Sequence, residues 1–283
     1  NAPMEPSQWT EIHLNRPSCC KMTARFVRAR HCALLSACLA LSWVSVTWAQ
    51  ADNYSARYSI FRNGKITGMF EIELQREGDR WEISSEGRGT QGLARILRAS
   101  DREHVEGRIV DDRYVPYKHN RHTRVAGIDN RWDATFDWDR GQVTVVHDGD
   151  ETYVLPLDGG ALDPLTMKLE MRKKVSEGAD ELHFLMVEED EIDPQTFRTL
   201  ETEWVETSLG CLKTVPIEKV RNNNRRYTRA WHAPELGNIE VRVEHGKTGG
   251  DHMEMRITHL TLNGEDIQPR PGCAAMQSAG PQS

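Results

Sequence analysis

An alternation of apolar and polar residues between positions 131 and 139 constrains the fold of this chain more than any other feature of its sequence. At a period of two, the residues of an extended strand fall alternately on its two faces. Here one face consists of four apolar residues: Trp132, Ala134, Phe136 and Trp138. Turn-forming sequences follow at residues 139–142 and 148–150. The stretch is therefore predicted to be a half-buried antiparallel strand that continues into two further short strands.

The same period of two recurs along most of the chain from Asn53, and turn sequences separate the strands that it predicts. Asn63-Gly64 is the strongest of these hairpin signals. About ten to twelve antiparallel strands and one main helix must together bury one face of a sheet. We therefore predict a mainly β fold, a single strongly curved antiparallel sheet (a half-barrel or open barrel) with one covering helix. A closed barrel and a two-sheet arrangement would also satisfy this requirement.

The sequence predicts one helix with clear boundaries, over Asp163–Val175. Asp163 is a good N-cap, and Pro164 suits the first helical position. Leu165 and Leu169 are four residues apart, which places them on one apolar stripe. Such a stripe is typical of a helix that lies across a sheet.

The first 51 residues differ in composition from the rest of the chain. Basic residues precede an uncharged, largely apolar run over residues 32–48, and Ala49-Gln50-Ala51 follows as a small-x-small site. A basic region, an apolar region and such a site, in this order, are typical of secretory signal peptides. We therefore predict that residues 1–51 are an upstream segment plus a signal peptide, and that no transmembrane anchor is left after cleavage.

Two alternatives to a cleaved signal peptide stay open. A retained membrane anchor would need ~20 predominantly apolar residues, and the apolar run is shorter. Leu35-Ser36-Ala37-Cys38 imitates a lipoprotein cleavage box, which would lipidate Cys38, but the most apolar residues follow Cys38 instead of preceding it. Met22 stands where translation of a signal peptide would start, so the true start of translation also stays open.

The rest of the chain is predicted to form a single β-rich domain over residues 52–267, followed by a disordered Pro/Gly/Ala/Ser-rich tail over residues 268–283. The whole chain has a formal net charge of −7, and the first 51 residues contain five basic and two acidic residues. The remainder therefore has a net charge of −10. An acidic surface argues against nucleic acid and anionic lipid headgroups as the main partners.

Two cysteines, Cys211 and Cys273, lie outside the first 51 residues. They can form a disulfide in an oxidising compartment, but a cysteine in a disordered tail can equally stay free, so both states are kept as expectations. Two cysteines without the spacing of metal ligands do not indicate a zinc site.

The sequence contains no catalytic or metal-binding motif. His119 and His122 are three residues apart on a predicted strand, so they point to opposite faces and cannot readily chelate one metal ion. The acidic run at Glu188–Glu191 is typical of a solvated loop. No serine lies in a nucleophile elbow. We therefore predict no cofactor, no metal and no catalytic residue, with an enzyme as the minority alternative.

The aromatic residues indicate another kind of site. A curved sheet with an aromatic concave face under an amphipathic helix can hold an apolar ligand. The predicted ligand-binding residues are Trp81, Trp132, Phe136, Trp138, Leu165, Leu169, Trp204 and Trp231. For each of these residues, burial in an ordinary core is the alternative interpretation.

Motifs in the last third of the chain, together with the first hairpin, resemble a known family. The motifs are the Leu-Gly turn in Thr207–Thr214, Arg226–Trp231, Ala233-Pro234-Glu235, Ile239–Val243, and the hairpin of Tyr58, Asn63-Gly64 and Gly68. Their order and spacing resemble the bacterial envelope family called domain of unknown function 3108 (DUF3108), over residues 53–265. Asn238-Ile239-Glu240 departs from the Pro-Val that is usual in that family.

The resemblance implies a periplasmic or secreted protein of a Gram-negative bacterium, and it implies no activity and no catalytic residues. The predicted meander and covering helix also resemble, in architecture alone, the half-barrels of the lipoprotein carriers LolA and LolB. A likeness of fold carries no evidence of function.

Three hypotheses of function follow. The leading hypothesis is a non-enzymatic periplasmic protein that binds a lipid, acyl chain or other apolar ligand in the concave face of the sheet. The alternative is an envelope assembly module that binds a protein partner and has no ligand cavity. The remote alternative is an envelope hydrolase, which should show titratable groups that converge in a cleft.

Overall fold

A computed structural model describes residues 53–157, 159–223 and 225–278. The predicted upstream segment and signal peptide, including Met22 and Cys38, lie outside the described residues. The described chain is mostly extended because apolar and polar residues alternate along it. Its sixteen strands are β1 (Tyr54–Arg62), β2 (Lys65–Glu77), β3 (Arg80–Gly89), β4 (Ser100–Val110), β5 (Arg113–Val125), β6 (Ile128–Asp137), β7 (Gln142–His147), β8 (Glu151–Pro156), β9 (Glu181–Val187), β10 (Ile192–Thr199), β11 (Glu203–Thr207), β12 (Gly210–Lys219), β13 (Arg226–Ala233), β14 (Ile239–Lys247), β15 (His252–Leu262) and β16 (Glu265–Asp266).

The described residues also form three α-helices and one turn of 3-10 helix. They are α1 (Gly92–Ile96), α2 (Pro164–Ser176), the 3-10 turn (Pro234–Leu236) and α3 (Cys273–Ser278). The helix predicted over Asp163–Val175 is α2, and Asp163 is its N-cap as predicted.

The strands form two antiparallel meanders that meet in the middle of one sheet. The first contains β1 to β8 in sequence order, and the second runs in the order β15-β14-β13-β12-β10-β9. β1 pairs with β15, so strands from the two ends of the described chain are neighbours at the centre. All strand pairs described are antiparallel, which confirms the predicted fold class.

The sheet has more strands than the ten to twelve that were predicted. One cause is the stretch at residues 196–206, which is predicted from the sequence as one strand but forms the end of β10 and most of β11. The two strands occupy the same edge of β12 one after the other, β10 opposite residues 217–219 and β11 opposite residues 210–214. Between them, the N–H of Leu200 donates to the carbonyl of Pro216 (2.9 Å), where the chain bends.

The sheet curves until strands from its two ends share one apolar cluster. Trp132 of β6 and Val145 of β7 pack with Val187 of β9, although these strands lie near opposite ends of the strand order. Leu162, which follows β8, forms a single parallel bridge with Met186. Among the described strands, β8 and β9 do not pair with each other, so the sheet is not closed into a barrel.

α2 covers the main core. Leu165 and Leu169 pack in the largest apolar cluster, against residues of both meanders. Glu170 accepts a hydrogen bond from the backbone N–H of Tyr114 (2.7 Å), and Arg172 donates to the carbonyl of Gly237 (3.1 Å). These bonds attach α2 to the start of β5 and to the turn before β14, so the helix is fixed to both halves of the sheet.

The predicted disordered tail requires correction over residues 268–273, because these residues pack on β11 and β12. Cys273 forms a disulfide with Cys211 of β12, so the structure resolves the open question of their pairing. The N–H of Arg270 donates to the carbonyl of Leu209 (3.0 Å), and the N–H of Cys211 donates to the carbonyl of Pro271 (3.1 Å). Gly210 has a φ of 106°, a left-handed conformation that glycine adopts without strain.

The chain's longest described helix, α2, has 13 residues. Within the described ranges, no helix is both long and apolar enough to cross a bilayer.

Candidate functional site

Four of the eight predicted ligand-binding residues lie in the main core. Trp81, Leu165, Leu169 and Trp231 are at most 3% exposed and belong to the cluster between the sheet and α2. These four side chains are therefore part of an ordinary core, which was the alternative interpretation.

Three further predicted residues, Trp132, Phe136 and Trp138, lie together in the second apolar cluster. The rings of Phe136 and Trp138 stack with centroids 6.1 Å apart and an angle of 12° between their planes. Nε1 of Trp138 donates a hydrogen bond to the carbonyl of Pro116 (2.6 Å). This part of the aromatic face is thus largely filled by the protein itself.

Trp204 lies apart from both clusters. It is 56% exposed and lines a cavity of about 620 Å³ at the end of α2, together with Val175, Pro234 and Asn238. The structure therefore divides the eight predicted residues between two packed clusters and one surface position.

A β-bulge in β5 places unexpected polar side chains on the inner side of the sheet, the face that packs on the core. The register of β4 and β5 shifts beside Tyr117, and beyond this point His119 pairs with the core residue Val105. His119 is fully buried, whereas His122 bonds to Asp129 on the outer side. This arrangement confirms the prediction that the two histidines point to opposite faces.

Four residues form a polar cluster on the inner side: Glu103, His119, Trp132 and His147. Oε2 of Glu103 lies 3.4 Å from Nε2 of His119, without the geometry of a hydrogen bond. The rings of His119 and Trp132 meet edge to face with centroids 4.5 Å apart, and Trp132 pairs with His147 across β6 and β7.

The polar cluster contains five buried atoms without a hydrogen-bond partner: Oε2 of Glu103, Nδ1 and Nε2 of His119, Nε1 of Trp132 and Nε2 of His147. These are half of the ten such atoms found among the described side chains. A buried polar atom without a partner costs about 1–3 kcal/mol, so proteins rarely leave several together. Other groups of the protein therefore leave these five atoms to bond to water or to a ligand.

Arg121 lies beside the polar cluster and contributes a positive charge there. Nε and Nη2 of Arg121 donate to the two carboxylate oxygens of Asp101 (3.1 Å each), and Nε lies 3.4 Å from Glu103. Burial lowers the pKa of Arg121, but the hydrogen bonds to Asp101 and the charge of Glu103 outweigh it and raise the pKa overall. Arg121 therefore stays positively charged beside two carboxylates.

Charged residues of the second meander act on the same region. Burial raises the pKa of Glu188, the charge of Asp193 adds to this rise, and the charges of Lys219 and Arg121 oppose it. Burial also lowers the pKa of Lys219. Because Arg121 of β5 influences Glu188 after β9, the two halves of the sheet present charges toward each other. Shifted pKa values of this kind cluster at functional sites.

The outer side of the sheet carries a polar groove of about 660 Å³ across β1 to β6, and its lining also includes Glu103 and Arg121. Its charged side chains largely pair with one another. Arg102 donates to Glu86 (2.7 Å), and His122 contacts Asp129 (2.5 Å). The groove therefore has less unmet bonding capacity than the polar cluster.

Among the residues that the structure describes, two groups have potential metal-ligand atoms within 4.8 Å of one another: Glu206 with Cys211 and Cys273, and Glu244 with His252 and Glu254. The thiols of the first group are joined in the disulfide. In the second group Glu254 is 2.7 Å from the guanidinium groups of both Arg242 and Arg256, and their positive charges disfavour a cation. Neither group makes a convincing metal site.

Glu103, Arg121 and His147 were not among the residues predicted from the sequence to line a site. A signal existed for Glu103, because it shares the face of Val105 and Gly107 on β4, and a carboxylate on a core-facing position is unusual. The β-bulge at Tyr117 has no recognisable sequence pattern. The side chains of β5 that follow Tyr117 could therefore not be assigned to the inner or the outer face from the sequence.

With this geometry established, the sequence can be compared with known families. Residues 53–257 match the family described as protein of unknown function DUF3108. The chain belongs to the DUF3108 family. This membership confirms the resemblance found in the motifs, and the family description assigns no activity to the polar cluster. A comparison with curated proteins finds no match.

Solved structures with a similar fold include a β-barrel-like protein of the domain of unknown function DUF1849 from Brucella abortus. It shares 11% identity with this DUF3108 chain at a TM-score of 0.52, over 75% of this chain and 98% of the other. A protein with a YmcC-like fold from Bacteroides fragilis shares 9% identity at a TM-score of 0.30, over 74% of this chain and 95% of the other. The first likeness extends to the fold alone, and it agrees with an open, curved sheet.

Proposed function

We propose that this DUF3108 protein is a non-enzymatic binding protein whose ligand lies on the inner side of the curved sheet. A polar group of the ligand would bond to the polar cluster of Glu103, His119, Trp132 and His147. The observation that carries the proposal is the set of five adjacent buried atoms without a hydrogen-bond partner in the protein, although Nε2 of His147 lies 3.8 Å from Oδ2 of Asp148. A bound ligand would satisfy them and recover the free energy that their burial costs.

The atoms of the polar cluster indicate the chemistry of the ligand. The indole N–H of Trp132 can only donate, Glu103 Oε2 accepts, and a neutral histidine does both. The positive charge of Arg121 is already compensated by Asp101 and Glu103. The geometry therefore favours an uncharged group rich in both donors and acceptors, such as hydroxyls or an amide. An apolar or acyl-chain part of the same ligand would contact the ring of Trp132, which belongs to both the polar and the apolar cluster.

The hydrolase alternative was expected to show converging titratable groups, and such groups do converge here. Nucleophilic catalysis also needs a nucleophile within hydrogen-bond reach of its base. In the described part of the chain, neither ring nitrogen of His119 has a hydrogen-bond partner. We therefore favour binding over hydrolysis.

We further propose that the protein works in the periplasm. The disulfide between Cys211 and Cys273 supports an oxidising compartment, and the predicted signal peptide would deliver the chain to it.

Native mass spectrometry of the protein purified from the periplasm tests the binding proposal. We expect a complex heavier than the bare chain, and denaturing extraction would then identify the bound molecule. Glu103→Gln removes a charged acceptor whose hydrogen bond is worth about 1.5–3 kcal/mol, so we expect about tenfold weaker binding or more. Trp132→Phe removes the indole donor and should also reduce occupancy.

Glu86→Gln and Trp204→Phe are the matched controls, because Glu86 lies on the outer side of the sheet and Trp204 lies apart from both clusters. A bare-chain mass together with no uptake of an apolar fluorophore would overturn the proposal. Equal occupancy in Glu103→Gln and the wild type would also overturn the assignment of the polar cluster.

A further inference from the structure

Four exposed aliphatic side chains lie at one end of the sheet and form what we call the apolar rim. They are Ile66 (42% exposed), Leu93 (68%), Ile96 (76%) and Ile128 (58%). Scattered exposed aliphatic residues are ordinary, but a group of them at one place marks an interaction surface.

Backbone hydrogen bonds hold the segments of the apolar rim side by side. The N–H groups of Thr90 and Gln91, just before α1, donate to the carbonyl of Thr67 at the start of β2 (3.0 and 3.2 Å). On the other side of α1, the N–H of Ala126 in the β5–β6 turn donates to the carbonyl of Leu97 (2.9 Å). α1, which carries Leu93 and Ile96, therefore sits between the β1–β2 and β5–β6 hairpins.

The charge of these segments is opposite to that of the chain. Residues 62–70, 88–100 and 124–128 contain six basic residues and no acidic residue. They are Arg62, Lys65, Arg88, Arg95, Arg98 and Arg124. Arg62, Arg88 and Arg124 contact neighbouring carboxylates, whereas the side chains of Lys65, Arg95 and Arg98 form no ion pair within the described ranges. The net negative charge of the protein therefore conceals a local basic surface.

We propose that the apolar rim docks on the surface of an anionic lipid bilayer. Aliphatic side chains among lysines and arginines suit this partner, because the apolar parts enter the headgroup boundary while the cations bond to lipid phosphates. A protein partner fits less well, since the cores of protein interfaces are enriched in aromatic anchors and the apolar rim contains none. This inference does not depend on the ligand proposed above. It departs, for one surface, from the expectation based on net charge that anionic lipid headgroups are not the main partners.

Vesicle flotation of the exported protein, with its N-terminus established by mass, tests this proposal. We expect the protein to float with vesicles of phosphatidylethanolamine containing about one third phosphatidylglycerol, and to stay unbound with pure phosphatidylcholine. Each of Arg95→Gln and Arg98→Gln should lower the partition coefficient about fivefold, and added salt should lower it further. The double variant Leu93→Ser/Ile96→Ser should abolish flotation.

Val110→Ser and Arg140→Gln serve as matched controls, because both residues are exposed, Val110 at the end of β4 and Arg140 in the turn between β6 and β7, and the apolar rim adjoins the other ends of β4 and β6. Both controls should float like the wild type. Flotation on neither vesicle, or equal flotation of the double variant, would overturn the proposal. A concentration-dependent dimer that the double variant loses, without vesicle binding, would assign the apolar rim to a second copy of the chain and overturn the proposal as well.

Discussion

His232 is a buried histidine that makes the stability of this DUF3108 protein depend on pH. Its Nδ1 lies 2.9 Å from the carbonyl oxygen of Asn238, to which the N–H donates. Burial lowers the pKa of His232 below its ordinary value of 6.5, against the opposing charge of Glu240. The unfolded chain therefore binds a proton at a higher pH than the folded chain does.

We expect the stabilisation due to neutral His232 to be complete above pH 6.5 and to be lost as the pH falls from there toward the lowered pKa of the folded state. Urea unfolding at a series of pH values measures this loss. His232→Gln keeps a side-chain donor but cannot titrate, so its stability should change less between neutral and mildly acidic pH. Identical pH slopes for the variant and the wild type would contradict this account.

The residues of the polar cluster show where sequence reasoning reaches its limit. That His119 and His122 face opposite ways follows from the period of two and was predicted. Which of the two histidines points toward the core depends on the one extra residue at the bulge. A shift of one position moves every later side chain to the other face of the sheet. The sequence therefore could not place His119 and Arg121 beside Glu103.

At the scale of elements, the start of α2 depends on Asp163. This residue is fully buried and accepts hydrogen bonds from the N–H groups of Leu165 and Thr166, each at 2.9 Å. Asp163→Ala should lower the free energy of unfolding by about 2 kcal/mol or more, because the lost cap costs ~1 kcal/mol and buried donors are left without a partner. Urea unfolding tests this, and Asp163→Asn should lose less because asparagine caps almost as well. Equal losses in both variants would show that the cap is not the cause.

The segment that follows β16 is held to β12 by the disulfide. The cysteines are 62 residues apart, and closing a loop of this length is worth about 4 kcal/mol in the unfolded chain. Cys273→Ser should lower the free energy of unfolding by up to about that amount and expose residues after 268 to proteolysis. Reduced wild-type protein should behave like the variant. Equal stability of oxidised and reduced wild type would contradict the bond's contribution.

Elements were predicted from sequence where local chemistry decides them. The boundaries of α2 were predicted almost correctly from Asp163, Pro164 and the apolar stripe. The first hairpin was predicted from Asn63-Gly64. The break between β10 and β11 was missed because it depends on how both strands share the edge of β12, which is a tertiary effect. The packing of residues 268–273 was missed for a similar reason, since their composition is that of a loop and their partners lie about 60 residues earlier.

At the scale of the molecule, strands pair continuously through the middle of the sheet, but the two strands at its ends do not pair with each other. β1 and β15 pair at the centre, while β8 and β9 approach each other only through apolar packing and the bridge at Leu162. The alternation pattern sufficed to predict the mainly β class, but a closed barrel and a two-sheet arrangement were compatible with it beside the single curved sheet. It did not locate the proposed binding site, because most of the aromatic residues that suggested an apolar pocket are used by the core.

The most direct test of the binding proposal is a crystal structure of the protein purified from its own periplasm. We expect electron density for an organic molecule on the inner side of the sheet, within hydrogen-bond distance of Glu103 Oε2 and Trp132 Nε1. The remaining ring nitrogens of His119 and His147 should bond to the same molecule or to waters that it holds. A polar cluster that closes on itself, with Glu103 bonded to His119 and only water beside Trp132, would contradict the account.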